Sequence, residues 1–179
     1  MTRAITLPED HSWIAIAARQ AADNMHRHHG CAQSILAAFM AAFHMDAPAV
    51  MRSAAGMMGG LMVSETCGIH TAGMMILGML MGREDIGQGL DGLWPIVVPG
   101  QELMARLTQK LGAASCRELT GVDFTDLPQA AAYMAGDGHA RCVARVQEGA
   151  MTIADHLMRL QRAGALFTPE IIPARTNAH

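Results

Sequence analysis

The sequence predicts an all-α protein, a compact multi-helix bundle of about six to seven helices around a central apolar helix. Ala, Leu and Met are abundant while aromatic residues make up only 4% of the chain, a balance that favours helix over strand. Val143, Val146, Ala150, Ile153, Leu157 and Leu160 recur at alternating intervals of three and four, which lays one apolar stripe along a helix. The most apolar stretch, Met74 to Met81, is too short to cross a bilayer and belongs in a buried core helix. A chain of 179 residues, 51% hydrophobic, can bury a core without disulfide staples. One helical domain is expected over 1–168, followed by a flexible tail, 169–179, with two prolines and little apolar patterning.

The elements follow in order. A first helix is expected from Ser12, a good N-cap after Pro8-Glu9-Asp10, to His28, and a second from Gly30 through Phe43. Asp46 can cap a third over Pro48 to Met57, before Gly56, Gly59 and Gly60 loosen the backbone. Ser64 or Thr66 can cap the central helix, which runs to Met81 and stops at Gly82 in a left-handed turn. Gly87, Gly89, Gly92, Pro95 and Pro99 mark an irregular connection over 86–99, with Trp94 as its anchor. A helix over Gln101 to Leu111 comes next. Ser115-Cys116-Arg117-Glu118 has the form of a capping box, and Gly121 closes that short turn. Asp126 to Met134 forms a further helix, and the striped helix lies beyond Gly136-Asp137-Gly138.

Charge and termini narrow the function. The formal net charge is −3 with no basic block, which argues against nucleic acid as a partner. Residues 1–10 lack a signal-like apolar core and turn acidic at once, so a cytoplasmic protein without a membrane span is expected. In a reducing compartment, scattered cysteines serve more often as thiols or metal ligands than as structural disulfides.

The chemistry therefore points to Cys31, Cys67, Cys116 and Cys142. Each falls in, or just beyond, the first turn of an expected helix, where free N–H groups and the helix dipole favour a thiolate. Cysteine is equally a small buried apolar residue, but four such placements together favour a joint role. No Cys-x-x-Cys pair occurs, so a shared site can form only by folding. His70 follows Cys67 by three residues, with Met74 one turn on, so Cys, His and Met share a helix face. His70 is also readable as a core histidine. His28 and His29, beside Cys31, are further candidate metal ligands, although histidines at a helix end also suit its dipole. The central methionines, Met57, Met58, Met62, Met74, Met75, Met79 and Met81, read mainly as core filling. Glu65 is the one carboxylate placed to act as an acid or base.

Gly30-Cys31-Ala32-Gln33-Ser34, Gly56 to Gly60, Glu65-Thr66-Cys67-Gly68 with Ala72-Gly73, Cys116-Arg117-Glu118-Leu119-Thr120-Gly121-Val122-Asp123 and Cys142 occur in an order that carries a resemblance. The chain resembles the C_GCAxxG_C_C family of redox-active proteins over roughly residues 14 to 160. This family is related to the N-terminal part of split-Soret cytochromes. The resemblance implies a small helical protein whose redox-active cysteines are Cys31, Cys67, Cys116 and Cys142, and some relatives are associated with an iron–sulfur centre. Where relatives have Tyr-Asn before the first cysteine this chain has His28-His29-Gly30, and after Cys67-Gly68 it has Ile69-His70.

The leading expectation is an electron-transfer or oxidoreductase component in which three or four of these cysteines hold an iron–sulfur cluster, with His70 as a substitute ligand and His28 and His29 as further candidate metal ligands. The same residues can instead work as a catalytic thiol and disulfide pair without metal. A Cys/His/Met module for copper, zinc or haem is the third reading. The expected partners are a redox protein or a small-molecule electron donor or acceptor, and the apolar helical surface suits a homodimer.

Overall fold

The computed structural model describes Leu7 and residues 11–166. The expected tail, 169–179, and most of the N-terminal segment lie outside the described residues. Among the described residues the secondary structure is all-helical, with no strand and a single isolated β-bridge, Thr66 to Ser115. No described helix is long and apolar enough to cross a membrane.

Eight α-helices follow one another: α1 (Ser12–His28), α2 (Cys31–Ala42), α3 (Pro48–Ser53), α4 (Gly68–Met81), α5 (Trp94–Leu111), α6 (Cys116–Thr120), α7 (Leu127–Ala135) and α8 (Gly138–Arg162). The count exceeds the expected six to seven because the capped turn at Cys116 is itself a short helix, α6. Helix α8 packs against α1, α2, α4, α5 and α7, and its stripe of Val146, Ala150, Ile153, Leu157 and Leu160 is buried. Helix α4 packs against α2, α5 and α8 and has no exposed residue. Gly73 of α4 makes the crossing close, since a Cβ there would sit 3.2 Å from Leu103 and 3.3 Å from Ile153. Trp13 of α1 meets Phe39 of α2 and Phe43 just past its end edge-on, with ring centroids 5.9 and 5.6 Å away.

Several boundaries differ from the expectation. Helix α5 begins at Trp94, seven residues before Gln101, because Pro95 occupies its first turn, where no N–H partner is needed, and Pro99 is accommodated inside it. Trp94 anchors nothing and is 63% exposed. Gly82 is extended rather than left-handed, and its N–H closes on the Gly78 carbonyl. Helix α4 starts at Gly68 with Cys67 as its N-cap, in place of Ser64 or Thr66. The N-cap positions of α1 and α3 are held by His11 and Ala47, without a side-chain capping bond, in place of Ser12 and Asp46. Ser115 and Asp126 do cap α6 and α7, accepting from the N–H groups of Glu118 and Gln129.

Two histidines are sealed between helices. His156 of α8 donates from Nε2 to the Pro99 carbonyl at 3.0 Å, and His70 of α4 pairs through Nε2 with Thr108 Oγ1 at 3.2 Å. Burial lowers both below the ordinary imidazole value of 6.5. A depressed folded-state pKa means that this stabilisation is complete above the unfolded value and is lost as pH falls through the folded one. The denaturant midpoint should therefore drop between about pH 7.5 and about pH 5.5. His156→Gln keeps a donor for Pro99 and cannot protonate, so in chemical denaturation it should show a smaller drop than the parent.

Candidate functional site

The turn between α1 and α2 sets Cys31. His29 and Gly30 both have positive φ, 60° and 72°, and reverse the chain so that Cys31 opens α2. Ser34 locks this turn by donating from Oγ to the His29 carbonyl at 3.0 Å, and Gln33 reaches across to the Met51 carbonyl. The Cys-Ala-Gln-Ser start is thus a hydrogen-bonding unit.

Cys67 and Cys116 come from segments far apart in sequence. Two backbone bonds join them: Cys67 N donates to the Ala114 carbonyl at 2.9 Å, and Cys116 N donates to the Glu65 carbonyl at 2.6 Å. Each cysteine then opens its helix, Cys67 as the cap of α4 and Cys116 as the first residue of α6. Glu65 contributes this carbonyl, while its side chain is exposed and does not line the site. The turn after Cys116 is held by a Thr120 hydroxyl bond to the Cys116 carbonyl, by Gly121 in the left-handed cap position, and by an Arg117–Asp123 ion pair of 2.9 Å. Cys142 sits on the fifth residue of α8, and the Tyr133 hydroxyl lies 3.5 Å from its Sγ.

All four cysteines line one cavity of about 510 Å3. Its remaining wall is largely apolar, and among the described residues Arg145 of α8 and His29 are its only basic lining residues. Two glycines make the approach possible. A Cβ on Gly68 would lie 2.3 Å from Cys31 Sγ, and one on Gly60 would lie 2.7 Å from Cys116 Cβ and 2.5 Å from the Glu65 carbonyl. Around Gly60 the backbone makes a left-handed turn that includes Leu61 and Met62, at φ 58° and 65°. Side-chain-bearing residues pay about 1–2 kcal/mol each for that conformation. The strain lies where Met58, Gly59 and Met62 form part of the cavity rim.

The other candidates separate. His29 lines the cavity and meets the His139 ring at a tilt of 54°, with centroids 4.4 Å apart, whereas His28 does not line it. His70 shares the helix with Cys67 but turns toward Thr108 and is outside the cavity lining, and Met74 packs against Gly100. The expected Cys/His/Met face is therefore divided between site and core. Among the described residues no group of three or more His, Cys, Asp or Glu is disposed to hold a single metal ion.

Burial reverses the thiolate preference expected at helix starts. A thiol–thiol hydrogen bond with Cys67 and then desolvation push the Cys31 thiol well above its ordinary value. Desolvation raises Cys116 to about 12 and also raises Cys142. The four are free thiols. Sequence reasoning missed Arg145 and Tyr133, which no motif marks. Only their spacing from Cys142, three residues after it and nine before it, could have drawn attention to them.

Residues 29–156, well over half of the chain, match the family model described as "Putative redox-active protein (C_GCAxxG_C_C)". The chain belongs to this family. Comparison with curated proteins and with solved structures gives no match. The matched span contains all four cysteines of this C_GCAxxG_C_C protein, together with Gly60, Gly68 and the turn after Cys116.

Two outcomes follow from this packing. Gly68→Ala should lower stability by about 2 kcal/mol by driving a methyl into Cys31. Gly78→Ala, on the same helix with nothing within 4 Å of the new Cβ, should be neutral or raise stability by about 0.5–1 kcal/mol; equilibrium denaturation distinguishes them. Without metal, the thiols of Cys31, Cys116 and Cys142 should alkylate slowly at neutral pH. Mass spectrometry of iodoacetamide-treated protein should show Cys31, Cys116 and Cys142 gaining reactivity only above about pH 9.

Proposed function

We propose that this family member is an electron-transfer or oxidoreductase component in which Cys31, Cys67, Cys116 and Cys142 hold an iron–sulfur cluster. The observation that carries this reading is the gathering of four cysteines, brought from separate helix starts, on one apolar cavity. Iron–sulfur clusters are held by cysteine thiolates, and a cluster spreads its ligands around a body of several atoms. A single zinc or copper ion needs donors converging on one point, and among the described residues no group of three or more His, Cys, Asp or Glu is so disposed. When bound, such a group supplies electron transfer. The chain's own residues would ligate it, exclude water through the apolar wall, and place the Arg145 cation beside the accumulated negative charge.

The Cys31–Cys67 contact favours a second reading, a metal-free dithiol. Oxidation would join the two Sγ atoms and release two electrons and two protons to an external acceptor, which would be reduced. In either case a redox protein or a small molecule would meet the cavity at the exposed rim of Met58 and Met62.

Anaerobic purification, with metal and acid-labile sulfide analysis and a visible spectrum, tests the proposal. Iron and sulfide should be found together in a coloured protein, and Cys67→Ser or Cys116→Ser should lower both. A colourless, metal-free protein whose thiol titre falls by two on mild oxidation would overturn the cluster in favour of the dithiol. Stoichiometric zinc or copper would sink both.

A further inference from the structure

The cavity holds more than the four cysteines account for. At about 510 Å3 it falls in the range of small-molecule sites, roughly 300–1,000 Å3. Beyond the thiols its wall is built from side chains such as Met58, Met62, Phe124, Leu127 and Met134. Met58, Met62 and Leu127 are 39%, 51% and 75% exposed, so the apolar lining continues out to an open rim. Methionine thioethers are adaptable and can mould to an apolar guest.

Among the described lining residues Arg145 is the one arginine, and there is no lysine. No Asp or Glu is among the described lining residues, and Arg145 Nη1 is buried without a hydrogen-bond partner. Tyr133, Cys116 and Cys142 lie close enough to feel its charge, yet none of them accepts from that nitrogen. A buried guanidinium N–H left unpaired is costly, and a planar fork of donors matches a carboxylate or sulfonate. A cation with one buried, unpaired N–H on the wall of an apolar chamber of ligand size describes a receptor for a molecule with an apolar body and one anionic head.

We propose that the cavity is a binding site for a small apolar organic anion, whose head group pairs with Arg145 and whose body lies along the methionine and Phe124 wall. The site adjoins the cysteines, so its occupant is placed to exchange electrons with whichever redox group they form. Binding itself requires neither a cluster nor a disulfide.

The test uses the full-length protein and two fluorescent probes of nearly equal shape, 1-anilinonaphthalene-8-sulfonate and its uncharged analogue N-phenyl-1-naphthylamine. The parent should bind the sulfonate more tightly than the neutral probe, and decanoate should displace it at lower concentration than decanol does. Arg145→Gln should weaken the sulfonate about tenfold, in line with the loss of a charge-assisted hydrogen bond, with less than a twofold change for the neutral probe. Arg145→Lys should restore part of the preference. Equal affinity of the parent for both probes, or sulfonate binding unchanged in Arg145→Gln, would overturn the proposal. Should Arg145→Gln fail to fold, the decanoate and decanol competition on the parent decides alone, and equal displacement counts against the site. Iron and sulfide content, measured on the same preparations, reports separately on the cluster.

Discussion

Two backbone hydrogen bonds, Cys67 N to the Ala114 carbonyl and Cys116 N to the Glu65 carbonyl, organise this molecule's chemistry. They join two segments about fifty residues apart at the point where each turns into a helix, and they place two cysteines side by side at those helix starts. The space around the bridge is tight enough to demand Gly60, whose missing side chain leaves room for the Glu65 backbone and for Cys116. The left-handed turn after Gly59 belongs to the same constraint, since the chain must curl sharply to bring residues 65–67 beneath Ser115. Ser64 adds a hydroxyl bond to Phe124 N and so attaches the loop after α6 to the same assembly.

The electrostatics of the site are governed by desolvation. Helix N-termini favour anions, but the Cys67 hydrogen bond at Cys31 and desolvation at Cys116 and Cys142 disfavour charge more strongly, and these three thiols are held protonated. A site of this kind is quiet until something positive enters or an oxidant removes protons and electrons together. Iron would supply the first, and an external acceptor that takes two electrons and two protons as Cys31 and Cys67 join would supply the second. Arg145 is the cation already provided on that wall, from the same face of α8 as Cys142.

Much of the fold was legible because helix signals are local. The extents of α1, α2, α7 and α8 follow from apolar spacing and flanking glycines, and the Ser115 and Asp126 caps from their side-chain oxygens. The start of α5 was obscured because Gly and Pro punctuate the chain there, yet Pro95 in a first turn and Pro99 beyond it are compatible with helix. Cys67 displaced the better capping residues from the start of α4 because Thr66 and its neighbours were committed to the bridge with 114–116. A capping preference of about 1 kcal/mol does not outweigh two buried backbone bonds.

By itself the sequence determined the helical class, most helix extents, and the four cysteines as the residues of interest. Those features depend on side-chain spacing within a dozen residues. Only the tertiary structure decided that the four line one chamber, that His70 turns into the core while His29 reaches the rim, and that Arg145 faces the thiols without a partner for Nη1. The balance between helix dipole and burial also had to await packing, because desolvation is a property of what surrounds a thiol and not of its position in the chain.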